Sequence, residues 1–142
     1  VFEAITPAMA ARMQALEAMD AADRSDGTPH AKRLRQIPPE TGRFLAILAA
    51  SAPAGNLVEV GTSAGYSALW LSLACRARGG VLWPCAAQLA ERLVPGGILT
   101  ADNVISHAHE IPGVAERILA DPRLDGVVVP IGSGVLLARR RA

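Results

Sequence analysis

The residues best suited to chemistry stand together in the run Val58-Glu59-Val60-Gly61-Thr62-Ser63-Ala64-Gly65-Tyr66-Ser67. Within it, Glu59-x-Gly61-x-x-x-Gly65 follows a short apolar stretch and opens a helical apolar period. Glycine at such a junction permits a tight turn and lets backbone approach a ligand closely. The helix start beyond it turns free N–H groups toward a negative group, a carboxylate or a phosphate. The carboxylate of Glu59 suits the opposite partner, an ammonium or a hydroxyl. A ligand carrying both an amine and a carboxylate satisfies both ends, although the same turn also serves as an ordinary strand-to-helix connection. A second candidate is Asp102-Asn103, at the end of the apolar run Ile98-Leu99-Thr100-Ala101. The carboxyl ends of strands are where α/β sheets gather their ligand sites. His107 and His109 follow closely, but with no further ligand cluster they read as a surface loop rather than a metal site, and His30 reads as exposed.

The elements that position these residues follow from apolar periodicity. Met9, Met13, Leu16 and Met19 recur at helical spacing, giving an amphipathic helix from Pro7 to about Ala22. A polar connection, Asp23 to Pro39, carries Lys32, Arg33 and Arg35. Pro38-Pro39-Glu40-Thr41 opens a second helix, with proline and an acid favourable in the first turn. Phe44, Leu45, Ile47 and Leu48 are its expected buried side, and it ends near Pro53. Asn56 to Gly61 reads as a buried parallel strand, and Ala64 to about Arg78 as a helix burying Leu69, Trp70, Leu73 and Ala77. A helix from Pro84 to Leu93, a buried strand over Ile98 to Ala101, and a helix from Ile111 to Leu119 follow. Gly126 to Pro130 and Gly134 to Ala138 are close enough for an antiparallel hairpin across Ile131-Gly132-Ser133. Alternating helices and buried strands make the fold class α/β. Tyr66, Trp70 and Trp83 read as packing residues.

Composition bounds the partners. The chain has 142 residues, 51% hydrophobic and 19% charged, which fits one globular domain. With 14 basic and 13 acidic residues, no global field favours nucleic acid or a membrane surface. Arg139-Arg140-Arg141 reads as a solvated tail. Cys75 and Cys85 form neither a metal spacing nor a disulfide framework, so a reducing, cytoplasmic setting is expected. No apolar run is long enough to span a bilayer, and the start of the chain lacks the pattern of a signal peptide.

Three stretches together closely resemble the cation-dependent O-methyltransferases, the family of catechol and caffeoyl-CoA O-methyltransferases. They are Pro39-Glu40-Thr41-Gly42-Arg43-Phe44-Leu45, the run Val58 to Ser67, and Pro95-Gly96-Gly97-Ile98-Leu99-Thr100-Ala101-Asp102-Asn103. The resemblance covers most of the chain from Pro38 to Ala138. It implies a Rossmann-like methyltransferase sheet, mostly parallel with a C-terminal antiparallel hairpin and helices on both faces. Residues 1–37 would be an N-terminal helical extension and residues 38–142 the core. It also implies S-adenosylmethionine as cofactor, whose methionine part carries the amine and carboxylate that the turn calls for. Glu59, Gly61 and Thr62 would line its methionine and ribose side, with Ser63, Gly65 and Tyr66 completing the turn. Ser67 would bond its carboxylate. Asp102 and Asn103 match two oxygen ligands of a divalent cation, usually magnesium, which favours oxygen donors. The implied acceptor is a small hydroxyl substrate of catechol-like type, and the implied assembly is a homodimer.

The family pattern is interrupted after Arg78. Gly79-Gly80-Val81-Leu82 runs almost directly into Trp83-Pro84, which resembles a later helix of the family. Roughly fifty residues, more than one βαβ unit, have no counterpart. They include the acid that holds the cofactor ribose, the first metal aspartate and a lysine base. A discontinuity near residues 79–82 is therefore expected, an omitted stretch or a shortened relative. The alternative function for a shortened chain is that of an inactive scaffold or assembly protein, with the methionine-striped helix as its partner surface.

Overall fold

The computed structural model describes residues 1–59, 63–78, 82–84 and 93–141. Helix α1 (Pro7–Ser25) begins where the Thr6 hydroxyl oxygen accepts the Met9 N–H at 3.2 Å, with Pro7 at the first helical position. It runs about a turn past the expected end. Met13 and Leu16 are buried, whereas Met19 is 48% exposed, so the methionine stripe leaves the core after Leu16.

Helix α2 (Pro39–Ser51) packs along helix α3 (Tyr66–Arg78). Its buried side is not the expected set of large residues. Thr41, Gly42, Ala46 and Ala49 are buried, and Ile47 is 51% exposed. The reason is close approach: a Cβ on Gly42 would lie 2.3 Å from Cδ1 and Nε1 of Trp70. Small residues face the indole, and the bulky ones of α2 are displaced to its flanks. Met13, Leu16, Ala46, Tyr66, Trp70 and Leu73 form one core cluster. Phe2 closes it edge-on to Trp70, with ring centroids 6.0 Å apart. On α3, Ala74 is buried and Ala77, expected on the same face, is exposed.

Strand β1 (Leu57–Glu59) pairs in parallel with β2 (Leu82–Pro84), and α3 is the connection between them. This corrects two expectations. Val58 is 43% exposed, so β1 is not buried along its length. Trp83 and Pro84, with Leu82 before them, form a strand beside β1 rather than opening a helix. The rest of that expected helix, over residues 85–92, lies outside the described residues. So do residues 79–81 of the expected discontinuity near residues 79–82.

Strand β3 (Ile98–Ala101), helix α4 (Val114–Leu119), strand β4 (Leu124–Val129) and strand β5 (Val135–Arg140) complete the chain. The three strands form a second sheet in the order β3-β5-β4, antiparallel throughout. The expected C-terminal hairpin is present, with β4 starting two residues earlier than expected. The parallel share is smaller than expected: among the described residues only β1 and β2 pair in parallel, and no described strand joins β1 to β3. Helix α4 also begins later than expected, at Val114, because Gly113 adopts φ +70 and cannot lie in a right-handed turn.

The C-terminal arginines are not a free tail. Arg139 and Arg140 belong to β5, and the Arg141 guanidinium lies 2.8 Å from the Asp125 carboxylate. The Arg140 guanidinium donates to the Leu93 carbonyl, and its N–H donates to the Gly97 carbonyl at 2.8 Å. These bonds fix the Gly96-Gly97 turn at the start of β3. Among the described residues, no helix is long and apolar enough to cross a membrane.

Candidate functional site

The glycine turn joins the end of β1 to α3. Gly61 and Thr62, both expected site residues, lie outside the described residues, as does Val60. Beyond them Ser63 adopts φ +47 and Gly65 φ +89. A Cβ on Gly65 would meet nothing within 4 Å, so glycine is needed there for backbone conformation rather than for space. The Gly65 carbonyl then accepts the Leu69 N–H at 3.1 Å, the first helical bond of α3. The Ser63 hydroxyl donates to the Leu34 carbonyl, tying the turn to the segment between α1 and α2.

Glu59 is the chemical centre of the turn. Its side chain is buried, 9% exposed, and its Oε1 accepts a hydrogen bond from the Ser67 hydroxyl. Its Oε2 is buried with no partner among the described residues. A buried carboxylate oxygen left without a donor costs free energy, and a ligand ammonium or hydroxyl removes that cost. Without a ligand, the Ser67 hydroxyl that the resemblance assigns to the cofactor carboxylate donates to Glu59. Tyr66 is turned away from the turn and into the core. Its hydroxyl donates to Glu17 of α1 at 2.5 Å, and its ring meets Trp70 edge-on at 6.3 Å. Burial and the Glu17 carboxylate push the Tyr66 pKa up to about 12.

Asp102 and Asn103 follow β3 directly. Asn103 takes φ +67, a left-handed conformation that asparagine tolerates better than most residues. The loop behind it is anchored to the β4–β5 turn, with Val104 N–H on the Gly134 carbonyl at 3.1 Å and Ile105 N–H on the Ser133 carbonyl at 3.2 Å. Asp102 is partly buried, which raises its pKa; the Asn103 N–H and the nearby His107 pull it the other way. Its Oδ1 is buried without a partner, a second acceptor facing no donor among the described residues. The donor chemistry of Asp102 and Asn103 suits a hard cation, but the set is short. Among the described residues, no group of three or more His, Cys, Asp or Glu side chains is arranged to hold a metal ion.

One grouping was not legible from spacing. The segment between α1 and α2 brings His30 over His107, with centroids 6.1 Å apart and planes 11° from parallel. His109 also stacks on His107, at 6.3 Å and 28°. The Ser106 hydroxyl lies 2.7 Å from His107 Nδ1. His30 belongs to a different part of the chain, and only the fold brings it beside the other two.

Solved structures share this architecture. The O-methyltransferase from Bacillus cereus, in complex with SAH, is 17% identical; the match covers 99% of this chain and 95% of that one, with a TM-score of 0.60. The SAH-bound methyltransferase from Podospora anserina is 15% identical over 96% of this chain and 89% of that one, also at a TM-score of 0.60. The chain has the methyltransferase fold. A methyltransferase from Geobacter sulfurreducens matches similarly, at 15% identity, 96% and 90% coverage, and a TM-score of 0.56. No protein-family model matches the chain, and no curated protein matches it either. Within the methyltransferase fold, Glu59 occupies the carboxyl end of a parallel strand and Ser67 the first turn of the helix that follows.

Proposed function

We propose that this chain is an S-adenosylmethionine-dependent O-methyltransferase acting on a small, catechol-like aromatic hydroxyl compound with the help of a divalent cation. The observation that carries the reading is the buried, unpartnered Oε2 of Glu59 beside the glycine turn. It supplies an acceptor where the ammonium or a ribose hydroxyl of the cofactor would donate. Ser67 positions that acceptor by holding the other carboxylate oxygen. The left-handed backbone at Ser63 and Gly65 aims the start of α3 at the ligand, where its N–H groups suit a carboxylate. The methyltransferases of the same fold that are described with SAH support the same cofactor.

Asp102 and Asn103 would supply two oxygen donors to a magnesium ion, with the acceptor's own oxygens and water completing its shell. When bound, such an ion lowers the pKa of a coordinated hydroxyl. Asp102 places a carboxylate near the acceptor whether or not an ion is present. The transfer forms an O–C bond as the S–C bond of the sulfonium breaks, and the hydroxyl proton leaves to solvent or a nearby base. In-line geometry is the main contribution required of the protein. The test is methyl transfer from labelled S-adenosylmethionine to catechol, with and without chelator. Labelled product that chelator abolishes is expected. Product unaffected by chelator removes the cation, and no product with any catechol sinks the acceptor class.

A further inference from the structure

Both candidate acceptors, Glu59 Oε2 and Asp102 Oδ1, are buried. A ligand reaches them only when what covers them moves. Residues 28–36, a strap between α1 and α2, are tied to both places. The Leu34 carbonyl accepts the Ser63 hydroxyl at the glycine turn, and the His30 ring stacks on His107, in the loop that follows Asp102, with centroids 6.1 Å apart. The strap is also tied to α1. Leu34 N–H donates to Asp23 at 3.1 Å, Gln36 N–H to Asp20 at 3.4 Å, and the Gln36 side-chain amide to the Leu16 carbonyl at 2.7 Å. These ties are polar: none of the strap's described side chains is fully buried. Segments with few buried apolar contacts are the ones that open locally.

The two ends of the strap differ. At Gly27 the backbone takes φ +86 and a Cβ would meet nothing within 4 Å, so the chain turns there in open space. At the other end Ile37 packs against the core cluster, and Pro38 and Pro39 have φ fixed by their rings. The tie to the glycine turn is strained. Ser63 sits at φ +47 and Arg35, next to Leu34, at φ +51, conformations that side chains adopt only where their surroundings impose them. Resting on the methyltransferase reading, we infer that residues 28–36 are a lid over the candidate site, hinged at Gly27, anchored at Ile37 and latched shut by the Ser63–Leu34 bond. The lid lifts to admit the cofactor. Opening frees both left-handed residues, which offsets part of the lost hydrogen bonding.

Two measurements on the full chain test this. In native-state hydrogen exchange the Leu34 and Gln36 amides should exchange together through a local opening, at denaturant concentrations where the α3 amides exchange only by global unfolding. In stopped-flow mixing, Asp23→Ala, which removes the acceptor of Leu34 N–H outside the candidate site, should bind S-adenosylhomocysteine about three- to tenfold faster, because the open form is more populated. Ser63→Ala, which removes the latch itself, should speed association by a similar factor and carries the test should Asp23→Ala fail to fold. Strap amides that exchange only together with those of α3 overturn the lid, as do association rates that both variants leave unchanged. Local opening in a chain that binds no S-adenosylhomocysteine upholds the moving strap and sinks the methyltransferase reading, and with it the ligand that the strap admits.

Discussion

Replacing Glu59 by glutamine separates the two roles a buried carboxylate can have. In the ligand-free protein Oε1 is bonded to Ser67 and Oε2 to nothing among the described residues. A buried unpartnered polar group costs about 1–3 kcal/mol, and more when charged. Glutamine keeps an acceptor for Ser67 and removes the charge. Glu59→Gln should therefore leave the free protein as stable as before, or up to about 1 kcal/mol more stable, by urea denaturation. Ligand binding should move the other way. A hydrogen bond to a charged group contributes about 1.5–3 kcal/mol, so S-adenosylhomocysteine should bind about 10- to 150-fold more weakly. Opposite signs in the two assays mark a ligand site. A variant that loses more than about 1 kcal/mol of stability yet binds S-adenosylhomocysteine unchanged would refute the reasoning and make Glu59 a structural residue.

Three further outcomes follow from the geometry. Gly42→Ala gains about 1 kcal/mol of helix propensity but drives a methyl into the Trp70 ring, at 2.3 Å from Cδ1. It should lose about 1–2 kcal/mol overall in thermal unfolding, as overpacked cores do, and much less when combined with Trp70→Leu. Tyr66 is the only tyrosine, so tyrosinate absorbance reads it alone. Its folded pKa of about 12 lies above the ordinary tyrosine value near 10, so its contribution is complete below pH 10 and is lost between pH 10 and 12 as the phenol ionises. A titration midpoint near 10 in the folded protein would contradict the Glu17 bond. Asp102→Asn should cut methyl transfer at least about tenfold without unfolding the chain. It should also abolish the loss of stability that accompanies ionisation of Asp102 as pH rises from the usual aspartate value toward the raised one, measured as unfolding free energy against pH.

Much of the architecture was legible because it rests on local signals. Pro7 marks the start of α1, Pro39 that of α2, and the Ile131-Gly132-Ser133 turn joins β4 to β5. What was not legible depends on long-range packing. Ile47 belongs to an apolar stretch, yet it faces outward because Gly42 and Ala46 admit Trp70. Arg139 and Arg140 form a charged run, yet they extend β5 because Gly97 and Asp125 offer them partners. Trp83 and Pro84 matched a helix in the resemblance, but a parallel pairing with β1 claims them instead. Glu59 and Asp102 stood out as candidates from their places at strand ends. The occupation of Ser67 by Glu59 and the approach of His30 to His107 required three dimensions.

The most direct test of the account is calorimetric titration of the full chain with S-adenosylhomocysteine. The account predicts saturable binding at one site per chain, weakened by Glu59→Gln. Absence of binding at millimolar ligand would contradict it, whatever the fold.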